Sequence, residues 1–327
     1  MERIALIYNG GILYWSSVII SMSVLAAILC YLSLYLNKGG NTEAAVVSVP
    51  TALFLSLLLS RLVHWYASPE SYDSLWNALI NPSSGSYVLL GAFMGCMMTA
   101  VLTKIVGLHN STPEMLDCMC LAGGAGIAVG RLSSFYNVSA RGQIISTSLS
   151  LPWISPMTNS VSGAVEYRLA TFLLQAAITG IITIILLFNY RKRDQQYKDG
   201  DTALLFLLYY CAAQFVLDST RYDSVYFRHN GFISIVQVSC AVTIIIIIAL
   251  LSIRMVKKHG LIVWNLLMWP AMVLLLGIAG SMEYFVQRHG DQALIGYLVM
   301  LVSLTAVVAL TIFIYRRSQQ PQKTRSL

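Results

Sequence analysis

The sequence predicts an all-α polytopic integral membrane protein. Of its 327 residues 57% are hydrophobic and 11% charged, whereas soluble domains are about one-quarter charged. Apolar runs long enough to cross a bilayer recur along the chain. Lysine and arginine gather in alternate loops between those runs. A mean hydropathy of +0.69 agrees. The net charge of +7 therefore reports loop placement, and no nucleic-acid partner is expected. No cleavable leader is expected either, because residues 1–11 carry one arginine and one glutamate and the apolar run after them is long enough to stay in the membrane.

Taken in order, the first span is expected at 11–35, ending in Asn37-Lys38-Gly39-Gly40-Asn41. The second covers 44–66 and carries Arg61 and His64 near its far end. A loop with Glu70 and Asp73 but no lysine or arginine leads to the third span, 86–107, closed by Lys104. The fourth, 115–132, has Asp117 at one end and Arg131 at the other. A serine-rich polar segment from 133 to 168 follows, with Pro152 and Pro156, and connections this long are functional or disordered. The fifth span, 169–190, precedes the most basic loop, Arg191-Lys192-Arg193 with Lys198. The sixth, 202–217, runs into Asp218-Ser219-Thr220-Arg221-Tyr222-Asp223. The seventh, 232–253, ends in Arg254, Lys257 and Lys258, and spans at 261–280 and 293–315 lead to a basic tail.

This gives about nine spans. The positive-inside rule puts the amino terminus outside and the carboxyl terminus in the cytoplasm. Arg131, Arg141, Arg168, Arg221, Arg228 and Arg288 then lie toward the outer face, against the rule. An ionisable group at membrane depth is a functional candidate. The six cysteines, Cys30, Cys96, Cys118, Cys120, Cys211 and Cys240, all fall in apolar runs and read as packing residues. Cys118 and Cys120 point to different sides of a helix, so no metal site and no cofactor are expected.

Two stretches carry chemistry. The first holds Arg131, Asn137, Arg141 and Gly142. A guanidinium fork suits phosphate oxygens, and glycine allows a turn or close backbone approach. The plainer alternatives are an arginine snorkelling to the headgroups and a re-entrant loop held by its own hydrogen bonds. The second is Asp218-x-x-Arg221-x-Asp223, where Asp218 and Arg221 stand at helical pairing distance. Its alternative is an ordinary helix-end ion pair. Arg61 and His64 share one face of the second span, and His64 is either a base near neutral pH or a hydrogen-bonded interface residue. His229 has the same two readings. Tyr14, Trp15, Trp65, Tyr66 and Trp76 fit the aromatic belt.

Together, Gly130-Arg131-Leu132-Ser133-Ser134-Phe135-Tyr136-Asn137, Gly200-Asp201 and Phe215-Val216-Leu217-Asp218-Ser219-Thr220-Arg221-Tyr222-Asp223-Ser224 resemble the bacterial prolipoprotein diacylglyceryl transferases. That family's signature reads Gly-Arg-x-Gly-Asn-Phe-x-Asn-x-Glu-x-x-Gly, followed two spans later by Arg-Phe-x-x-Glu-x-x-Arg-x-Asp-Ser. The resemblance covers about residues 10–257; Asp117 and Arg61 also fall where the family has them. It implies a seven-span core at 1–257 with an outer amino terminus, and an added hairpin with a basic cytoplasmic tail at 258–327. Ser133-Ser134 replaces the family's Gly-Asn and Ser139 its glutamate. Leu90-Gly91-Ala92 replaces its His-Gly-Gly, Ser16 its tyrosine, Gln214 its arginine and Asp218 its second glutamate.

The resemblance implies an enzyme of the bacterial plasma membrane. It would move the diacylglyceryl group of phosphatidylglycerol to the cysteine thiol of a lipobox in a translocated preprotein, releasing glycerol phosphate. Its partners would be phosphatidylglycerol, the lipobox-containing signal peptide of that preprotein, and membrane lipid. By that resemblance Arg131 and Asp218 are the catalytic candidates, and Arg131, Asn137, Gly142, Arg221 and Arg61 are the lipid-phosphate-binding candidates. With the family histidine absent, His64, Tyr87 or the arginine field would favour the thiolate. Two other outcomes stay open: a lipid- or peptide-binding protein that kept the scaffold and lost turnover, and a transferase with a different acceptor.

Overall fold

The computed structural model describes residues 4–8, 11–81, 87–109, 111–136, 139–145, 153–158, 164–192, 198–226, 233–261, 263–289 and 292–320. The chain opens with an antiparallel pair, β1 (Ile4–Tyr8) and β2 (Gly11–Tyr14). Next come α1 (Trp15–Asn37), α2 (Thr42–Ala67), the short α3 (Leu75–Ile80), α4 (Leu89–Ile105) and α5 (Thr112–Arg131). A second antiparallel pair, β3 (Ile154–Thr158) and β4 (Val165–Leu169), precedes α6 (Thr171–Arg191). The chain closes with α7 (Asp201–Ser219), α8 (Ile235–His259), α9 (Val263–Arg288) and α10 (Ala293–Gln319).

Eight of these helices are long and apolar enough to cross a membrane; α4, where a ninth span was expected, has 17 residues. The first span starts later than expected, because Gly11–Tyr14 is drawn into β2. Local sequence sets several helix starts. Asn41 accepts from the Glu43 N–H at 3.0 Å ahead of α2, and Ser111 accepts from the Glu114 N–H ahead of α5. Ser234 and Gln237 form a reciprocal capping box on α8. At α7 the cap comes from another helix. Fully buried Asp117 of α5 accepts from the Gly200 N–H at 2.9 Å and the Ala203 N–H at 2.7 Å. Gly200 has φ +89°, a left-handed turn that favours glycine.

Helices α2 and α4 pack face to face, as do α1 with α5, α5 with α6, α7 with α8, and α9 with α10. The α2–α4 seam is close because α4 offers Gly91 and Gly95, where an added Cβ would overlap the backbone of Ser60 and Ser56. Ser60 Oγ donates to the Val88 carbonyl at 2.7 Å and Ser56 Oγ to the Ala92 carbonyl at 3.0 Å. Small residues and hydroxyls of this kind hold helices together in lipid, where the hydrophobic effect contributes little. Gly91→Ala is accordingly expected to cost about 1–3 kcal/mol. Gly277→Ala, with nothing within 4 Å of the new Cβ, is the control. Thermal unfolding in detergent checks the difference.

The bundle has one plain and one elaborate face. Short turns after α1, α4 and α8, the described residues between α6 and α7, and the end of α10 lie on the plain one. At the other, residues 139–145 meet 220–222 through the Gly142–Arg221 bridge and β4 through the Ile144–Arg168 bridge. Trp15 at the start of α1 stacks on Tyr136, ring centroids 6.1 Å apart. Among the described residues of the 133–168 segment, short strands and a 3-10 turn at Leu132–Phe135 are present.

Candidate active site

The described centre of the elaborate face is the carboxyl-terminal half of α7. Tyr210, Gln214 and Asp218 recur every four residues along it, and all three are buried. That spacing places them on one face of the helix, over about 12 Å of its length. Each meets a polar group from another element. The Arg131 guanidinium, arriving from the end of α5, acts electrostatically on the Tyr210 hydroxyl. Gln214 Oε1 accepts from Gln175 Nε2 of α6 at 3.0 Å, leaving Gln175 Oε1 and Gln214 Nε2 buried without partners among the described residues. Asp218 accepts from the Ser234 hydroxyl, which also caps α8.

Arg221 sits above this stripe between two carboxylates. Its Nε lies 3.0 Å from Asp223 Oδ1 and its Nη1 3.4 Å from Asp218 Oδ1. Burial alone would lower its pKa, but the bond to Asp223 and the charge of Asp218 outweigh it and hold the guanidinium above its ordinary value. Tyr210 interacts electrostatically with both arginines, which places Arg131 and Arg221 in one polar neighbourhood.

The surrounding backbone is tightly specified. Asp223 Oδ2 accepts from the Ala140 N–H at 2.8 Å, and Ala140 holds φ +57°, a region a non-glycine residue occupies at some cost. Gly142 donates its N–H to the Leu169 carbonyl at 2.8 Å and accepts from Arg168 at 3.3 Å. A Cβ on Gly142 would stand 2.7 Å from Leu169 Cβ and 3.0 Å from the Thr220 carbonyl. This glycine lets three strands of backbone meet, and its N–H is already used.

The arginines read from the sequence therefore separate. Arg61 is 3% exposed. It donates to the Ala78 carbonyl at 2.7 Å and the Asn81 carbonyl at 2.6 Å, and it lies against the rings of Tyr72 and Tyr87. It closes the carboxyl end of α3. His64, one turn on, bonds the Tyr72 hydroxyl through Nδ1 at 2.8 Å. Arg141 donates to the Pro156 carbonyl at 2.6 Å, and Arg168 pairs with Glu166 at 2.7 Å. Arg131 differs from these: it is half-buried, and no described carboxylate pairs with it. Asn137, Arg228 and His229 lie outside the described residues. Tyr210, Ser234 and Gln175 were not anticipated. The four-residue spacing of Tyr210, Gln214 and Asp218 inside an apolar run was the available signal. Among the described residues no three His, Cys, Asp or Glu side chains are placed to hold a metal.

Fold and site together define a polytopic helical membrane protein with a cationic polar site sunk into one face. The pattern of the family described as prolipoprotein diacylglyceryl transferase matches residues 4–253, and the chain belongs to that family of bacterial multi-pass membrane transferases. Among its relatives, the phosphatidylglycerol–prolipoprotein diacylglyceryl transferase of Bacillus licheniformis is 25% identical over 224 residues, covering 64% of this chain and 77% of that protein. The enzyme of the same name from Limosilactobacillus reuteri is 22% identical, covering 79% of this chain and 92% of its own. That from Finegoldia magna is 23% identical, covering 80% and 98%. The match ends within α8, so α9 and α10 lie beyond it.

Proposed function

We propose that the protein transfers the diacylglyceryl group of phosphatidylglycerol to a lipobox cysteine thiol of a translocated preprotein, with the elaborate face extracytoplasmic and the carboxyl terminus in the cytoplasm. The observation that carries this reading is Arg131, a half-buried cation with no carboxylate partner among the described residues, which shares the Tyr210 hydroxyl electrostatically with a second, carboxylate-braced arginine. A lipid phosphate is the anion such a group suits at membrane depth.

In the reaction the sulfur attacks the glyceryl carbon that bears the phosphate. A carbon–sulfur bond forms as the carbon–oxygen bond breaks, and glycerol phosphate leaves with one more negative charge than the diester had. Arg131 meets that growing charge, the kind of interaction that stabilises a transition state more than a ground state. Asp218 and Asp223 hold the Arg221 fork in orientation for a second contact. The thiol must first lose its proton, and two guanidinium groups beside it favour the thiolate. The thiol proton passes to water or to the departing phosphate, whose monoester form has a second pKa near 6.

Gln214 carries the second reading, a scaffold that binds lipid or peptide without turnover. It is uncharged and paired with Gln175 at the position that in the family pattern is arginine. One experiment separates the two. The protein is incubated with phosphatidylglycerol and a lipobox peptide, and the peptide mass is followed. A gain of one diacylglyceryl unit is the expected result. Saturable phosphatidylglycerol binding with no gain would support the second reading.

A further inference from the structure

At the plain face, the last turns of α8 and α10 and the residues leading into α7 enclose a recess of about 400 Å³ lined by Lys198, Arg254, Lys257, Lys258, Ser318 and Gln319. Four of the six are cationic. Asp201 pairs with Arg254, so three of the four charges have no carboxylate against them among the described residues. The walls are fixed. Lys258 Nζ donates to the Ser318 and Gln319 carbonyls at 3.0 and 3.2 Å, joining the end of α10 to the end of α8. Gln319 Nε2 donates to Asp201 Oδ2 at 2.6 Å, tying the same end to the start of α7. Lys198 and Lys257 are exposed, and their ammonium groups have no bonding partner among the described residues.

A concave surface of one sign focuses potential and gathers counter-ions. The height of the recess narrows the choice of anion. Leu250 and Ile253 on α8 and Phe313 on α10, within about one or two turns of the lining residues, are large apolar residues 45%, 52% and 43% exposed, as expected of a surface facing acyl chains. The recess therefore opens at headgroup level. Five of its six lining residues, Arg254 onward, lie outside the 4–253 family match.

We infer that this recess binds the phosphate headgroup of an anionic phospholipid from the leaflet at the plain face, at a site separate from the one around Arg131. The lipid would bridge the family core and the α9–α10 hairpin, meeting lysines whose mutual repulsion it relieves.

The test uses the full chain, delipidated in detergent and titrated with phosphatidylglycerol under native mass spectrometry. Lys198→Gln combined with Lys257→Gln changes two exposed side chains, and surface changes of this sort leave stability within about 0.5 kcal/mol. Wild type is expected to retain one more phosphatidylglycerol than the double variant, with that step weakened about tenfold or more, while lipid-free melting is unchanged. Arg131→Ala is expected to keep this lipid, so the result stands apart from the fate of the proposed transfer reaction. Equal stoichiometry and affinity in wild type and double variant would overturn the inference. So would equal retention of phosphatidylcholine, or loss of this lipid in Arg131→Ala. Glycerol phosphate or inorganic phosphate binding there as tightly as the lipid would give the recess to soluble phosphates instead.

Discussion

Arg131→Ala is expected to slow diacylglyceryl transfer by about 10²–10³-fold, the usual cost of removing one donor aimed at developing charge. Because this side chain pairs with no described carboxylate, its removal strands no buried acid, and the fold should survive. The loss should therefore appear in kcat at saturating phosphatidylglycerol, with melting nearly unchanged. Arg131→Lys is expected to fail almost as badly. An ammonium is a compact, strongly hydrated point charge and cannot give two parallel donors to a phosphate. Near-complete activity in the lysine variant would remove the fork geometry from the argument, and full activity in the alanine variant would remove Arg131 from the site.

Asp218→Ala should have the largest effect on stability. Asp218 is 2% exposed and serves Arg221 and Ser234 together. Truncation leaves a largely buried guanidinium, 15% exposed, with Asp223 alone and the Ser234 hydroxyl without its acceptor. Removing one member of a buried pair costs about 3–5 kcal/mol, mostly the penalty of the charge left behind. Asp218→Ala combined with Arg221→Met should regain part of that loss, since no uncompensated charge remains, while transfer stays abolished. A double variant no more stable than the single one would show that the aspartate acts through Ser234 rather than through the ion pair. Chemical denaturation of the four proteins of this cycle measures the coupling.

The helical part of the fold was legible because lipid imposes one solution on a long apolar run: every backbone group bonds within its own helix. The β1–β2 pair was missed although Asn9-Gly10 between two apolar runs is a hairpin signal; the second run was absorbed into the span after it. The site was legible in its charges and not in their partners. The pairing of Asp218 with Arg221 followed from spacing. Arg61 and Gly142 were read as phosphate ligands, and in the fold they donate to backbone carbonyls of other segments, at Ala78, Asn81 and Leu169. A backbone group has no sequence signature. An arginine bound to carbonyls and one awaiting an anion look alike until the chain is folded.

The brevity of α4 bears on the solvent around the protein. Its 17 residues rise about 26 Å, less than the ~30 Å of a typical hydrocarbon slab. Met94, Met97, Met98, Val101 and Ile105 leave one side of it exposed. Acyl chains beside that side must shorten to meet it. Hydrophobic mismatch of this sort costs a fraction of a kcal/mol per ångström. A bilayer that meets the α4 flank is therefore expected to thin there, and a thicker membrane to thin more.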